Sequence, residues 1–177
     1  MTMKLILGGA RSGKSSQAEE FARDEEEVIY LATGVATDEE MERRISRHRE
    51  DRPEDWDTIE EPVEIRKALE GISETFSGAV ILDCLGFWLS NLLREVDDRS
   101  PPYLEDFLGE RIEKELAPAR EGDYDLVVVS NIVGMGVIPG SSAGRRFRDG
   151  LGRVNQVVAK SADEVYLMVA GIPLRIK

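Results

Sequence analysis

The chain of 177 residues contains only one cysteine, Cys84, and only one histidine, His48. A single cysteine excludes an intramolecular disulfide, and the two residues together are too few for a zinc site built from several cysteine and histidine ligands. We therefore expect no structural metal. Long apolar runs are also missing, since the first, Leu5-Ile6-Leu7, is too short for a signal peptide or a membrane span. We expect a cytoplasmic protein with no membrane span.

Positive charge is scarce: 23 Lys and Arg stand against 35 Asp and Glu, which gives a net charge of −12. Such a balance repels a polyanion, so we expect no nucleic-acid partner. The arginines that are present cluster at residues 43–52 and 145–153. On an acidic chain, these clusters favour phosphate chemistry at both places over simple decoration of the surface.

Short apolar runs rich in Val, Ile and Leu recur at residues 5–7, 28–32, 79–82, 126–129 and 165–169. Runs of this kind are typical of parallel strands that are buried on both faces. Helical patterns lie between them, at residues 14–23, 38–49, 63–70, 86–96, 103–116 and 142–161. The alternation predicts an α/β fold, with a mainly parallel sheet flanked by helices, in a single domain over residues 1–177.

Two further signals concern the connections of this fold. Pro101-Pro102 must separate two helices, because proline cannot continue a helix. Residues 171–177 alternate apolar and polar side chains after a turn signal, and they could form a short antiparallel edge strand.

One motif points directly to chemistry, because G-x-x-x-x-G-K-[ST] is matched by Gly8-Gly9-Ala10-Arg11-Ser12-Gly13-Lys14-Ser15. It follows an apolar run and precedes a helical pattern, which is the context that a phosphate-binding loop requires. The glycines let backbone N–H groups face phosphate oxygens, Lys14 reaches the β- and γ-phosphates, and the Ser15 hydroxyl can hold Mg²⁺. The alternative is a chance glycine-rich turn.

Asp83 ends the apolar run at residues 79–82. In enzymes with a phosphate-binding loop, an acid at this position binds Mg²⁺ directly or through water. Asp83 could instead cap the helix that begins near Gly86. Both roles could coexist, because both belong to the carboxyl edge of the sheet, where open α/β folds bind their ligands.

His48 lies on a predicted helix and shares one face of it with Met41 and Ile45. Its ring could simply complete a partly buried face. Arginines at positions 43, 44, 47 and 49 favour another role, in which they keep the imidazole neutral and nucleophilic and supply phosphate contacts. The spacing alone leaves both interpretations open.

Beyond the loop, a series of segments along nearly all 177 residues carries a resemblance to one family. These segments are Tyr30-Leu31-Ala32-Thr33, Asp38-Glu39-Glu40-Met41, Arg44-Ile45, His48-Arg49, Arg52-Pro53, Trp56, Thr58, Glu60, Asp83-Cys84-Leu85, Asn91-Leu92-Leu93, Ser130-Asn131, Val133-Gly134-Met135-Gly136-Val137-Ile138-Pro139, Arg146-Phe147-Arg148-Asp149, Gly152-Arg153-Val154-Asn155-Gln156, Ala162-Asp163-Glu164-Val165 and Gly171-Ile172-Pro173. Together with the loop, they resemble the bifunctional adenosylcobinamide kinase / adenosylcobinamide-phosphate guanylyltransferase family of cobalamin synthesis. The loop alone is shared by many families, whereas this combination is specific.

The resemblance implies a two-step enzyme. In the first step the aminopropanol hydroxyl of adenosylcobinamide takes the γ-phosphoryl group of ATP or GTP. In the second, GTP guanylylates a histidine, pyrophosphate leaves, and the GMP moves to adenosylcobinamide phosphate to give adenosylcobinamide-GDP. The family also implies a phosphate-loop fold, Mg²⁺ carried by the nucleotide, and a homotrimer.

Residue by residue, the guanylylated histidine of the family maps onto His48. The nucleotide contacts of the family map onto the phosphate-binding loop and a further set of positions: Gly8, Gly9, Ala10, Arg11, Ser12, Gly13, Lys14, Ser15, Ala32, Thr33, Gly34, Arg49, Glu50, Asp51, Arg52, Glu60 and Asp83. Within this set, Ser15 and Asp83 are the expected contacts to magnesium.

One position departs from the family pattern: known members often carry Asn-Glu-Val-Gly where this chain has Asn131-Ile132-Val133-Gly134. A carboxylate there could orient Mg²⁺ or accept a proton from the substrate hydroxyl, and isoleucine can do neither. If either activity is weakened, we expect it to be the kinase.

Two alternatives remain open from the sequence. One is a small-molecule kinase alone, with a structural His48. The other is a GTP-binding switch, against which the missing Asn-Lys-x-Asp guanine-reading motif argues.

Overall fold

The computed structural model describes residues 1–50, 52–72, 76–95 and 104–177. Its strands are β1 (Met3–Gly8), β2 (Val28–Ala32), β3 (Asp57–Glu60), β4 (Ala79–Asp83), β5 (Asp125–Asn131), β6 (Glu164–Val169) and β7 (Ile172–Arg175). They form one sheet in the order β3-β2-β4-β5-β1-β6-β7. Every pairing in it is parallel except that of β6 with β7.

The helices lie between the strands along the chain, with both α4 and α5 between β4 and β5: α1 (Lys14–Ala22), α2 (Glu39–Glu50), α3 (Ile65–Glu70), α4 (Leu85–Glu95), α5 (Leu104–Leu116) and α6 (Ser142–Ser161), with a short 3₁₀ helix at Ala117–Arg120. Asp38 begins α2, since its carboxylate accepts the N–H of Met41 at 2.8 Å. Ser141 caps α6 in the same way by accepting the N–H of Gly144 at 3.1 Å. Within the described part of the chain, every helix lacks the length or the apolar character that crossing a membrane requires.

The predicted α/β fold with a mainly parallel sheet is confirmed. The predicted strands and helices are present with ends that differ by no more than about two residues, which is the ordinary uncertainty of helix and strand ends. The C-terminal edge strand is also confirmed, as β7 pairs antiparallel with β6. Pro101-Pro102 lies outside the described residues.

The sequence analysis missed β3, the edge strand next to β2. Its residues Asp57, Thr58 and Glu60 are exposed, and only Ile59 is apolar. An edge strand with little to bury has no apolar run, so the pattern that revealed the central strands could not reveal this one.

The central strands are apolar on both faces because neighbouring residues point into two different cores. Leu82 and Val128 pack on the face covered by α3, α4, α5 and α6. Ile81 and Val127 pack on the opposite face, which α1 covers. Since β1, β2, β4 and β5 run parallel, their carboxyl ends meet at one edge, and the segments that carry the motifs follow at that edge.

Trp88 of α4 provides a test of this core. It is fully buried, and its Nε1–H donates to the carbonyl of Val63 at 2.9 Å. Trp88→Ala should lower the free energy of unfolding by about 3–5 kcal/mol, because it opens a cavity in the core. Phe107→Ala on α5, where the side chain is 38% exposed, is the control and should cost much less. Denaturant unfolding measures both, and equal losses would contradict the assignment of Trp88 to the core.

Candidate functional site

The phosphate-binding loop joins β1 to α1, and two glycines allow its shape. Gly13 stands directly before α1 with φ of 92°, in the left-handed region that favours glycine. At Gly8, a Cβ atom would lie 3.1 Å from the backbone carbonyl oxygen of Met168 on the neighbouring strand, which is tighter than an ordinary contact. The loop can therefore begin α1 at Lys14 and aim the amino end of the helix at a bound anion.

Lys14 is 9% exposed and folds back over the loop, where its Nζ donates to the carbonyl of Gly9 at 2.7 Å. Burial lowers the pKa of Lys14, because desolvation disfavours the charged ammonium, while the neighbouring Cys84 and Asp83 act in the opposite direction. A desolvated ammonium held at the loop is suited to contact triphosphate oxygens, which would take the place of the Gly9 carbonyl.

The Asp83 carboxylate joins β4 to the loop. Its Oδ2 accepts the hydroxyl of Ser15 at 2.7 Å and the hydroxyl of Tyr30 at 2.6 Å. Among the described residues, the donors to this carboxylate are two side-chain hydroxyls and not a backbone N–H of α4. This arrangement favours the metal role of Asp83 over the capping role. A hydroxyl and a carboxylate side by side are the hard oxygen donors that Mg²⁺ prefers, and the residues present fit that ion.

Thr33 ties the end of β2 to the end of β4. Its hydroxyl donates to the carbonyl of Cys84 at 2.7 Å and accepts the N–H of Cys84 at 2.8 Å, while its own carbonyl accepts Nδ2 of Asn91 at 2.8 Å. Thr33 is fully buried. The sequence-predicted nucleotide contact at this position is thus a side chain whose hydroxyl is already bonded to the backbone of β4.

The Cys84 thiol is also buried, which raises its pKa to about 12, and the adjacent Asp83 adds to that effect. A buried thiol that keeps its proton is a poor nucleophile, and His48 is the better candidate for that role.

His48 lies on α2 with its side chain exposed, so the interpretation of a partly buried ring is not supported. A cleft of about 180 Å³ brings it together with Lys14, Ser15 and Asp83. The rest of the lining contains three further predicted residues, Ala32, Gly34 and Arg52, and four that were not predicted as site residues, Tyr30, Cys84, Phe87 and Asn131. Residues of the phosphate-binding loop and the histidine therefore line the same cleft.

A second hollow of about 810 Å³ adjoins the cleft through Arg52, which lines both. Its lining includes the predicted nucleotide contacts Arg49, Glu50 and Glu60. Arg49 forms an ion pair with Glu60. Asp51 lies outside the described residues. Some of the predicted nucleotide contacts therefore line the cleft beside the phosphate-binding loop, and others line this hollow.

Two of the cleft residues that were not predicted could have been recognised from the sequence. Tyr30 interrupts an aliphatic strand, and a buried tyrosine needs a hydrogen-bond partner for its hydroxyl, which here is Asp83. Asn131 is a polar residue at the carboxyl end of an apolar strand, as Asp83 is, and that edge binds ligands in open α/β sheets.

The arginines at residues 145–153 lie away from the cleft lining. Arg145 donates to the carbonyls of Pro139 and Gly140 at 3.0 and 2.8 Å. Arg148 pairs with Asp149 at 2.8 Å, and Arg153 pairs with Asp106 at 3.5 Å. These three arginines contact protein groups, as Arg49 does, and phosphate chemistry at this second cluster stays a prediction.

A sequence profile of the family described as "Cobinamide kinase / cobinamide phosphate guanyltransferase" matches residues 4–176. The chain belongs to this family. It is 38% identical to the bifunctional adenosylcobalamin biosynthesis protein CobU of Escherichia coli, with 99% of each chain covered. It is 42% identical to the corresponding protein CobP of Pseudomonas aeruginosa, over 98% of this chain and 96% of that one.

The resemblance that the motifs predicted is therefore confirmed. As a member of the cobinamide kinase and guanylyltransferase family, the chain is a bifunctional enzyme of adenosylcobalamin biosynthesis. The two alternatives, a kinase alone and a GTP switch, are not the function of this family.

A solved structure, the ATPase of a bacterial type III secretion system, matches the chain with a TM-score of 0.57 and 12% identity. The match covers 95% of this chain and 51% of the ATPase. At that identity the likeness concerns the fold alone, and it agrees with a phosphate-loop architecture.

Lys14→Ala should abolish phosphorylation of adenosylcobinamide, because no other group in the loop can place an ammonium on the β- and γ-phosphates. The fold should remain intact, since the substitution removes a charge that is costly to bury. Lys4→Ala on β1 is the matched control, as Lys4 pairs with Asp125 at 3.3 Å outside the cleft. Transfer of labelled γ-phosphate and thermal unfolding measure the two effects. A normal transfer rate in Lys14→Ala would contradict the assignment of the loop.

Proposed function

We propose that both reactions of this enzyme take place in the one cleft where the phosphate-binding loop faces His48. The observation that supports this proposal is that Lys14, Ser15, His48 and Asp83 line the same space of about 180 Å³. ATP or GTP is the phosphoryl donor, GTP is the guanylyl donor, and adenosylcobinamide and its phosphate are the acceptors.

In the kinase step, loop N–H groups and Lys14 hold the triphosphate of the nucleotide. Ser15 and Asp83 would hold its Mg²⁺, which neutralises charge on the β- and γ-phosphates. The acceptor hydroxyl attacks the γ-phosphorus, the bond to the β-phosphate oxygen breaks, and the hydroxyl proton leaves to water. Lys14 stabilises the negative charge that grows on the departing nucleoside diphosphate.

In the guanylyl step, the neutral imidazole of His48 attacks the α-phosphorus of GTP through one ring nitrogen. A nitrogen–phosphorus bond forms as the bond to pyrophosphate breaks. A phosphate oxygen of adenosylcobinamide phosphate then attacks the same phosphorus, which breaks the bond to nitrogen and returns the free imidazole. The exposed position of His48 on α2 lets donor and acceptor approach the ring in turn.

The remaining predicted nucleotide contacts belong to this second step in the proposal. Arg52 reaches both the cleft and the adjoining hollow, so it can contact a phosphate while the nucleoside extends into that hollow. Glu60 lines the hollow, and a carboxylate can accept the N–H groups of guanine. Ala32 and Gly34 form the wall of the cleft between the two sides.

A cytoplasmic location and a homotrimer, both implied by the family resemblance, complete the proposal. Sedimentation of the purified enzyme measures its oligomeric state directly.

The proposed intermediate can be tested with GTP labelled at the α-phosphate. Since the chain has one histidine, wild-type enzyme should retain label that is released by acid and stable to alkali, and His48→Ala should retain none. The same variant should lose guanylyl transfer far more than phosphoryl transfer, because the kinase step needs no protein nucleophile. Label that resists acid, or label undiminished in His48→Ala, would refute the role of His48.

A substitution at Ile132 can test the departure from the family pattern, in which this position is often glutamate. The N–H of Ile132 donates to the carbonyl of Gly8 at 3.0 Å, so residue 132 lies beside the start of the phosphate-binding loop. If a carboxylate there serves the substrate hydroxyl, Ile132→Glu should raise phosphorylation of adenosylcobinamide more than GMP transfer, within the roughly 10²–10⁴-fold that general base catalysis contributes. Val133→Glu is the control, since it adds the same charge one position further along the loop. If both steps are rapid in wild type and Ile132→Glu improves neither, the hypothesis is wrong.

A further inference from the structure

Tyr30 of β2 contacts a residue on each side of the cleft. Its hydroxyl donates to Oδ2 of Asp83 at 2.6 Å, on the side of the phosphate-binding loop. Its ring lies 3.5 Å from the guanidinium carbon of Arg52, in the segment that follows the helix of His48. The side chain is 2% exposed, so both contacts belong to one closely packed group.

The hydroxyl contact restrains the Asp83 carboxylate. Two hydroxyls, those of Tyr30 and Ser15, donate to the same oxygen of Asp83 at 2.6 and 2.7 Å. A phenol hydroxyl carries its proton at neutral pH, so Tyr30 is the donor and the Asp83 carboxylate is the acceptor. A carboxylate fixed at one oxygen presents the other in a defined direction.

The ring contact restrains Arg52. Besides the ring, its Nη1 donates to the hydroxyl of Thr58 at 3.2 Å. Its Nε is buried and has no hydrogen-bond partner among the described residues. The ring face and one hydroxyl therefore hold the guanidinium of Arg52 in one orientation at the lining of the cleft.

We propose that Tyr30 is a positioning residue for both reactions, with its hydroxyl setting the orientation of Asp83 for the kinase step and its ring setting the orientation of Arg52 for the guanylyl step. This inference rests on the function proposed above for the loop and His48. It assigns one role to the hydroxyl of Tyr30 and another to its ring. Substitutions that remove only one of these parts can test the two roles individually.

Tyr30→Phe keeps the ring and removes the hydroxyl. The gain in GTP affinity on adding Mg²⁺, measured by equilibrium binding, should fall about tenfold, as expected for loss of a hydrogen bond to a charged group. Phosphoryl transfer should fall more than the amount of acid-labile label on His48. Tyr30→Leu removes both parts, and both reactions should fall.

The ring contact has its own test in Arg52→Lys, which keeps the charge but loses the planar group that lies over the ring. Among variants that already lack the Tyr30 hydroxyl, the step from Tyr30→Phe to Tyr30→Leu should slow guanylylation of His48 less in the double variants that also carry Arg52→Lys, because Arg52→Lys has already removed the ring contact. Losses that multiply in the double variants would overturn the role of the ring.

Ile81→Val is the structural control, since Ile81 pairs with Tyr30 across β2 and β4, is fully buried, and belongs to the same core. It should lower thermal stability without changing the ratio of the two reactions. If Tyr30→Phe lowers both reactions in one proportion and leaves the effect of Mg²⁺ on GTP affinity unchanged, the inference is wrong. Failure of the proposed function looks different, because wild-type enzyme would then carry no acid-labile label.

Discussion

The site depends on the parallel register of β2, β4 and β5, which places Asp83 at the last position of its strand. Asp83 pairs with Ala32 of β2 on one side and with Val129 of β5 on the other. A shift of one residue in either pairing would move every side chain of β4 to the opposite face. The Asp83 carboxylate would then face away from Ser15, and the hydrogen bond between these two side chains would be lost. Since both faces of β4 are buried in different cores, hydrophobic packing holds this register firmly.

A small network of polar groups holds the carboxyl ends of β2 and β4 together. Thr33 bonds to both backbone groups of Cys84, and the Nδ2 of Asn91 donates to the carbonyls of Thr33 and Pro62 at 2.8 and 3.2 Å. Thr33 and Asn91 are buried, and these hydrogen bonds satisfy groups that would otherwise be costly to remove from water. The network therefore joins β2, β4 and α4 directly behind the cleft, and it accounts for a polar threonine in a buried position.

Lys14 and His48 lie in very different structural surroundings. Lys14 begins a helix that packs on the sheet through Ala18 and Ala22, so the loop is anchored at both ends, by β1 and by α1. His48 lies on α2, whose described side chains are half-buried or exposed. Acidic residues in the first turn of α2 and basic ones in the last complement the helix dipole, and the ion pair of Arg49 with Glu60 holds the helix end near β3. In the proposed mechanism, the nucleophile that meets first a nucleotide and then a bulky corrinoid is therefore carried on a peripheral helix, whereas the loop is packed against the sheet.

The sequence alone determined the α/β class, the phosphate-binding loop and the family, because each of these can be recognised from short local segments without knowing how the segments meet in space. A loop of eight residues encodes its own backbone geometry through Gly8 and Gly13, and the apolar runs encode burial through their composition. Tertiary structure decided what those residues do together. Thr33 was predicted as a nucleotide contact, and its hydroxyl bonds to the backbone of Cys84. Tyr30 was named as part of a strand and of a family segment but not as a site residue, and it joins Asp83 to Arg52. Such contacts depend on the register of strands and on segments distant along the chain, and no local pattern of residues specifies either.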